Sequence, residues 1–335
     1  MALLDVQDLC VRFDTHNGTV RAVDGVSFTL EEGETLGLVG ESGSGKSVTN
    51  LALMGLVPQP PGVIEAGRVL YGERDLLRLA PRELQALRGN EISMIFQDPM
   101  TSLNPLLTIG EQLCEVLEIH RRMRRREARQ KSARALGDVG IPEPEERLNQ
   151  YPHELSGGMR QRVMIAMALL CDPRVLIADE PTTALDVTIQ AQILELMKAL
   201  QESHGTAIVL ITHDLGVVAG MSDRVHVMYA GRIVEAAPAH ELFRAPEHPY
   251  TAGLLASVPR LDSPAHEALT SIPGQPPDLA ELPPGCAFAP RCEHSSEACL
   301  DEVPRLTPVE SQGREAVHLA ACPPENRSTN GKGAR

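Results

Sequence analysis

Apolar residues at the start of the chain come in short alternating runs. Leu3–Phe13 (LLDVQDLCVRF) and Thr19–Leu30 (TVRAVDGVSFTL) flank Asn17-Gly18, a pair that between such runs predicts two antiparallel strands joined by a tight turn. Thr35–Val39 (TLGLV) is instead continuously apolar, as a strand buried on both faces must be. A glycine loop follows it, then a helix-like stretch from Lys46 to Leu56. Val175–Ala178 and Ala207–Thr212 are two further buried-strand candidates, separated by helical periodicity. The predicted class is therefore α/β, with a mixed, mostly parallel sheet flanked by helices and an antiparallel edge sheet. Between the glycine loop and Val175 lies a long excursion, helix-like from Ile109 to Gly140, which predicts an inserted helical subdomain at about 98–170. After about Arg260 the texture changes. Pro273, Pro276, Pro277, Pro283 and Pro284 crowd a segment that predicts a small irregular C-terminal domain, 261–335, beyond a main domain of 1–260. The final stretch, PENRSTNGKGAR, is polar and expected to fray.

With 335 residues and 42% hydrophobic content the chain can bury a sizeable core. Its 31 Lys+Arg against 45 Asp+Glu give a formal charge of −14, which opposes nucleic acid and anionic lipid, and the absence of Trp removes a common stacking platform for single strands. No apolar stretch is long enough to span a bilayer, and the opening residues do not follow a basic-then-apolar leader pattern, so a cytoplasmic protein meeting membranes only through partners is expected. Arg121–Arg126, flanked by Glu118 and Glu127, is read as a solvated helix face. Cys10, Cys114 and Cys171 are scattered and expected as buried thiols. Cys286, Cys292, Cys299 and Cys322 gather near the end, which leaves metal binding open.

Three segments carry chemistry. Gly40-Glu41-Ser42-Gly43-Ser44-Gly45-Lys46-Ser47, followed by Val48, fits GxxxxGK[ST] between a strand and a helix. Glycines let successive N–H groups converge on phosphate oxygens, and the helix terminus favours negative charge. Lys46 is expected to reach the β- and γ-phosphates of ATP, and Ser47 to ligate Mg2+. Val175–Glu180 (VLIADE) is an apolar strand ending in two carboxylates, where a parallel sheet presents its ligands. Asp179 suits the magnesium shell, and Glu180 suits a general base acting on the attacking water. The third segment, Leu155-Ser156-Gly157-Gly158-Met159-Arg160-Gln161-Arg162, opens another helix-like stretch that runs to Leu170.

LSGGMRQR resembles the signature sequence of the ABC ATPases. By that resemblance Leu155, Ser156, Gly157, Gly158 and Gln161 contact the γ-phosphate of a nucleotide held by an opposite subunit. Gln97, in MIFQDP, is implied to sense magnesium and the γ-phosphate. Ala184-Leu185-Asp186 resembles the D-loop, His213 the switch histidine, and Phe13 the aromatic residue that stacks on adenine. The resemblance implies an ATPase working as a dimer on the cytoplasmic face of the cell membrane.

QDPMTSLNPLLTIGEQL, EPTTALDVTIQAQIL and HPYTAGLLASVPRL resemble a narrower group, the importers of dipeptides and oligopeptides, with nickel and glutathione relatives. That group implies a second ATPase subunit, two membrane permease subunits and an extracytoplasmic solute-binding protein, with no nucleic acid partner. A soluble ABC ATPase acting on DNA or ribosomes is the alternative from another class; the tandem cassettes or long coiled-coil insertions common in such proteins are not seen here. PGCAFAPRC with Cys299 and Cys322 resembles the group's terminal domain, some members of which hold a [4Fe-4S] cluster. The cysteine spacing itself is not that of a zinc knuckle, and leaves a cluster, zinc or unliganded thiols open.

Overall fold

The computed structural model describes residues 2–16, 18–97, 102–182, 186–257, 271–309 and 317–327. They form two compact units, both of strands and helices and each assembled from separated stretches. One comprises residues 1–3, 30–35 and 78–211; the other comprises 4–29, 36–77 and 212–335.

In the first unit Ile92–Ile95, Val175–Asp179 and Ala207–Ile211 run parallel, in register from Ile92↔Val175↔Ala207 to Ile95↔Ala178↔Leu210. Every residue of the three is buried, which is why they read as unbroken apolar runs. Because they are parallel, the segments leaving their C-terminal ends emerge on one edge. Gln97 follows the first strand and Glu180 the second. The helices around them are Ile109–Arg121, Arg125–Asp138, Gly157–Leu169 and Val187–His204.

The stretch expected to be helical from Ile109 to Gly140 is in fact two helices. Arg122 turns left-handed at φ +52 and its N–H closes on the Leu117 carbonyl, ending the first helix before the second starts at Arg125. Neither glycine nor proline marks this break. The start of the first helix is well marked: Thr108 Oγ1 accepts from the Glu111 N–H while the Glu111 carboxylate accepts from the Thr108 N–H at 2.8 Å, a reciprocal cap. The two helices pack together, and each has buried residues spaced four apart, Ile109, Leu113 and Leu117 on one and Ala128, Ser132 and Leu136 on the other. The arginines at the break face solvent, Arg125 pairing with Glu118 at 3.2 Å.

The second unit holds a four-stranded antiparallel sheet in the order Gly18–Leu30, Leu4–Thr15, Gly62–Tyr71, Arg74–Asp75. Its first two strands are those expected; Asn17 of the turn lies outside the described residues. A second set of strands begins at Thr35–Val39, which pairs in parallel with Arg224–Tyr229 from Leu36↔Arg224 to Val39↔Val227. Arg224–Tyr229 turns back antiparallel into Arg232–Pro238 through Ala230 and Gly231, both at positive φ, the geometry that matches strand twist in a two-residue turn. Arg232–Pro238 in turn pairs with Leu319–Ala320, and that with Thr307–Pro308.

Residues beyond 260 therefore extend the same run of strands that carries the glycine loop. Tyr229, Tyr250 and Phe288 form an aromatic cluster with centroids 4.5–5.4 Å apart, inside a core with Val225, Val227 and Leu242. Beside it Glu235 and His318, both fully buried, meet at 2.7 Å, and Glu235 also accepts from the N–H groups of Glu247 and His248 at 2.8 and 2.9 Å. Burial alone would raise the Glu235 carboxyl. The His318 bond and the two backbone donors outweigh it and hold the group below the usual carboxylate range. Among the described residues no helix is long and apolar enough to cross a membrane.

Candidate nucleotide site

The loop Gly40–Ser47 links the buried strand Thr35–Val39 to the helix Lys46–Leu53, three residues shorter than expected. Gly40 and Gly45 take φ +153 and +103, and a Cβ on either would press on a carbonyl, that of Met228 or of Ala22 respectively. Only glycine fits both conformation and space there. Lys46 is buried and its Nζ folds back onto the loop, donating to the carbonyls of Gly40 and Glu41 at 2.8 Å each and to Ser44 Oγ at 3.1 Å. The Lys46 ammonium is thus held against oxygens of the loop itself. Ser42, Gly43 and Ser47 are exposed on the loop, and Val48 is half-buried in the first helical turn.

Glu41 is held at every polar group. Its N–H donates to Tyr250 Oη at 2.7 Å, its carbonyl accepts from Lys46, and its carboxylate takes both arms of Arg291 at 2.6 and 3.0 Å. The reading of the sequence missed this contact, since 250 positions separate the partners. Phe13 lies in the same unit, half-buried on Leu4–Thr15 opposite Gly62; a Cβ at Gly62 would sit 3.0 Å from its ring. His213 is exposed, immediately before Asp214, whose Oδ1 caps the helix Leu215–Met221.

The other unit brings Gln97 and Glu180 together. Gln97 Nε2 donates to Glu180 Oε2 at 3.0 Å. Asp179, one residue earlier, is buried at the strand end. Glu180 sits at φ +48 with its N–H on the Ile211 carbonyl at 2.8 Å, a left-handed turn uncommon for a side-chain-bearing residue and frequent at functional sites. Ser156 caps Gly157–Leu169, its Oγ accepting from the Met159 N–H at 3.3 Å. Leu155 is buried behind the cap, while Gly157 and Gly158 open the first turn toward solvent.

Gln161 is buried and donates to the Pro181 carbonyl at 2.6 Å. This bond ties the signature helix to the residues right after Glu180, and nothing in the local pattern announced it. Asp186 caps Val187–His204 through the Ile189 N–H at 3.0 Å. Ala184 and Leu185 of the D-loop reading lie outside the described residues, as do Asp98–Thr101 and the residues after Ser257 in the two importer-like stretches that contain them.

The four clustered cysteines are free thiols, Cys299 and Cys322 buried and Cys286 and Cys292 half-buried. Burial pushes the Cys322 thiol up to about 12, and Cys292, Cys299 and Cys286 push it further in the same direction; Cys286 and Cys292 are raised likewise. Asn326 Nδ2 donates to Cys299 Sγ at 3.1 Å, and the Cys286 N–H to the Cys299 carbonyl at 2.7 Å. Among the described residues no three His, Cys, Asp or Glu side chains converge to hold a single metal ion. Of the scattered cysteines, Cys114 and Cys171 are buried as expected and Cys10 is only half-buried.

Residues 23–183 match the model of the ABC transporter family, and residues 234–299 that of the oligopeptide/dipeptide transporter C-terminal region. The chain is 56% identical over 307 residues to the oligopeptide transport ATP-binding protein OppD of Bacillus subtilis, covering 92% of this chain and 86% of that protein. It is 57% identical over 297 residues to the dipeptide transport ATP-binding protein DppD of the same organism, covering 89% and 88%. With OppD of Salmonella typhimurium the identity is 58% over 302 residues, covering 90% and 89%. Among solved structures, the dimeric post-hydrolysis state of the ATP-binding cassette MJ0796 bound to ADP and Pi aligns with a TM-score of 0.65 at 29% identity, over 70% of this chain and 98% of that one. A phosphate loop built on main-chain geometry, a carboxylate pair at a strand end and a capped signature helix accompany these likenesses, and the chain belongs to the ABC transporter ATP-binding proteins, in the group that carries the oligopeptide/dipeptide transporter C-terminal region.

Proposed function

We propose that this chain hydrolyses ATP to power the uptake of dipeptides or oligopeptides across the cytoplasmic membrane. The observation that carries the reading is the 56–58% identity to oligopeptide and dipeptide transport ATP-binding proteins, sustained over about nine-tenths of the chain. In this reading Lys46 and the amides of Gly43–Ser47 bind the phosphates, Phe13 stacks on adenine, and Ser47, Gln97 and Asp179 hold Mg2+. Magnesium would supply charge neutralisation on the β- and γ-oxygens. Glu180 orients and deprotonates the attacking water, held for that task by Gln97. His213 contacts the γ-phosphate. Ser156, Gly157 and Gly158 of a second ATPase subunit, same or different, embrace that phosphate at their helix N-terminus, and Asp186 helps to join the two subunits. Two permease subunits and a solute-binding protein complete the assembly, with this chain peripheral on the cytoplasmic face.

We further propose that Cys286, Cys292, Cys299 and Cys322 hold an iron–sulfur cluster. What supports this reading is the match of residues 234–299, which include Cys286, Cys292 and Cys299, to the oligopeptide/dipeptide transporter C-terminal region. Bound there, the cluster would cross-link a segment that has little regular structure of its own. Iron and acid-labile sulfide in chain purified without oxygen test this.

The transport reading is tested by uptake of a labelled tripeptide into cells lacking the chain. Restoration by the wild type but not by Glu180→Gln is expected, with ATP binding retained and turnover in that variant down by at least about a hundredfold. Restored uptake with Glu180→Gln would remove Glu180 from the mechanism, and no peptide uptake with the wild type would remove the substrate class.

A further inference from the structure

We propose that Arg291, from the C-terminal segment, is a positioning residue for ATP binding: it neutralises and orients Glu41 inside the phosphate loop. The proposal rests on the reading of Gly40–Ser47 as the nucleotide loop.

Glu41 is the first variable position of that loop. If this loop takes the phosphates, a carboxylate left uncompensated within it would oppose them at short range. Arg291 answers it in bidentate fashion, Nη1 to Oε2 at 2.6 Å and Nη2 to Oε1 at 3.0 Å. The guanidinium side chain is only 5% exposed and the carboxylate side chain 25%, so solvent screens the pair weakly.

Arg291 is itself over-determined. Its Nε donates to the Pro273 carbonyl at 2.9 Å and Nη1 also to Tyr229 Oη at 3.3 Å, and its charge lies 5.9 Å from the ring centres of Tyr229 and Phe288. Tyr250, in the same aromatic cluster, accepts the Glu41 N–H. The N–H and the carboxylate of Glu41 are thus held by residues after 240, and its carbonyl by Lys46 Nζ and by the Ser44 N–H at 3.3 Å. When Lys46 Nζ turns to phosphate it releases the Glu41 carbonyl; the Arg291 and Tyr250 contacts hold the loop in place through that exchange. Preorganisation of this kind raises affinity by lowering the ordering cost of binding.

The test uses the full-length chain with the fluorescent nucleotide mant-ATP, and the complex with its permease partners for turnover. The unaltered chain must bind mant-ATP; if it does not, the loop reading fails before Arg291 is at issue. Arg291→Met, which leaves Glu41 unpaired, is expected to weaken mant-ATP binding and raise KM for ATP roughly tenfold while kcat stays within about twofold. Arg291→Lys keeps the charge and loses the fork, so an intermediate rise of about threefold is expected.

The deciding variant is the double substitution Arg291→Met with Glu41→Gln, which removes both charges. Recovery of most of the lost affinity is expected, because deleting both partners is far less harmful than orphaning one. A merely structural brace would not behave so: its loss would lower thermal stability without recovery of affinity in the double variant. Affinity within twofold of wild type in Arg291→Met, or a double variant binding no better than Arg291→Met alone, overturns the proposal. Should Arg291→Met fail to fold, the same cycle run with Arg291→Lys and Glu41→Gln decides it, strictly additive effects on KM being the overturning result.

Discussion

The phosphate loop and the C-terminal segment that docks beside it are built on opposite principles. In Gly40–Ser47 the main chain sets the shape: two glycines at positive φ sit where neighbouring carbonyls leave no room for a Cβ, and a lysine folds back on loop oxygens. In residues 271–309 and 317–327 regular structure is sparse, and side chains set the shape, through Glu235–His318 and Arg291–Glu41. A backbone device is local and leaves its mark in residue spacing. A side-chain device joins positions 83 or 250 apart and leaves almost none.

Breaking the buried pair should have the largest effect of any change in this contrast. Glu235→Ala leaves His318 and two backbone N–H groups without their acceptor, and a loss of about 3–5 kcal/mol in urea unfolding is expected. A loss below about 1 kcal/mol would mean that the C-terminal segment docks independently of this pair. Gly45→Ala attacks the backbone device. Left-handed strain and the Ala22 carbonyl together should cost about 1–3 kcal/mol, and mant-ATP binding should fall below detection. Retention of binding would show that the loop tolerates a shifted main chain.

Acid sharpens the comparison without mutation. Burial depresses His226 to about 3 and His248 to about 4, so both are neutral when folded. The unfolded chain takes up protons near pH 6.5 that the folded chain refuses, so stability falls as pH drops from 6.5 toward those values. Between pH 7 and 5 each group is expected to remove about 1–2 kcal/mol, and His226→Leu should flatten its share in unfolding curves at the two pH values. Glu235 acts lower: its stabilisation is present above the usual carboxylate pKa and disappears as pH falls through its depressed value. The smallest expected effect is Ser156→Ala, which removes one helix cap, about 1 kcal/mol in unfolding.

The same contrast explains what could be read from the sequence. Thr35–Val39, Val175–Asp179 and Ala207–Ile211 were legible because parallel strands covered on both faces must be continuously apolar. Arg224–Pro238 was not, because its turn is Ala230-Gly231 rather than an Asn-Gly or Asp-Gly signal, and its strands carry His226, Glu235 and arginines. The break at Arg122 was hidden for a similar reason: a left-handed arginine ends the helix where no glycine or proline marks the place. Within the candidate site, Lys46 and the loop glycines follow from spacing. The hold of Gln161 on the Pro181 carbonyl and of Arg291 on Glu41 follows only from tertiary packing.

The discontinuity of the loop-bearing unit also sets a timetable for synthesis. The strand at residues 36–39 finds its parallel ladder at residues 224–227, about 185 positions later. At roughly 5–20 residues per second of translation, on the order of ten to forty seconds pass before that ladder can form. Residues 319–320, which extend the same strands, come later still. Throughout that interval the emerging chain carries a glycine-rich loop and an apolar strand without this partner, so its yield in cells should depend on chaperones that shield Thr35–Val39 until residues 224–227 have left the ribosome.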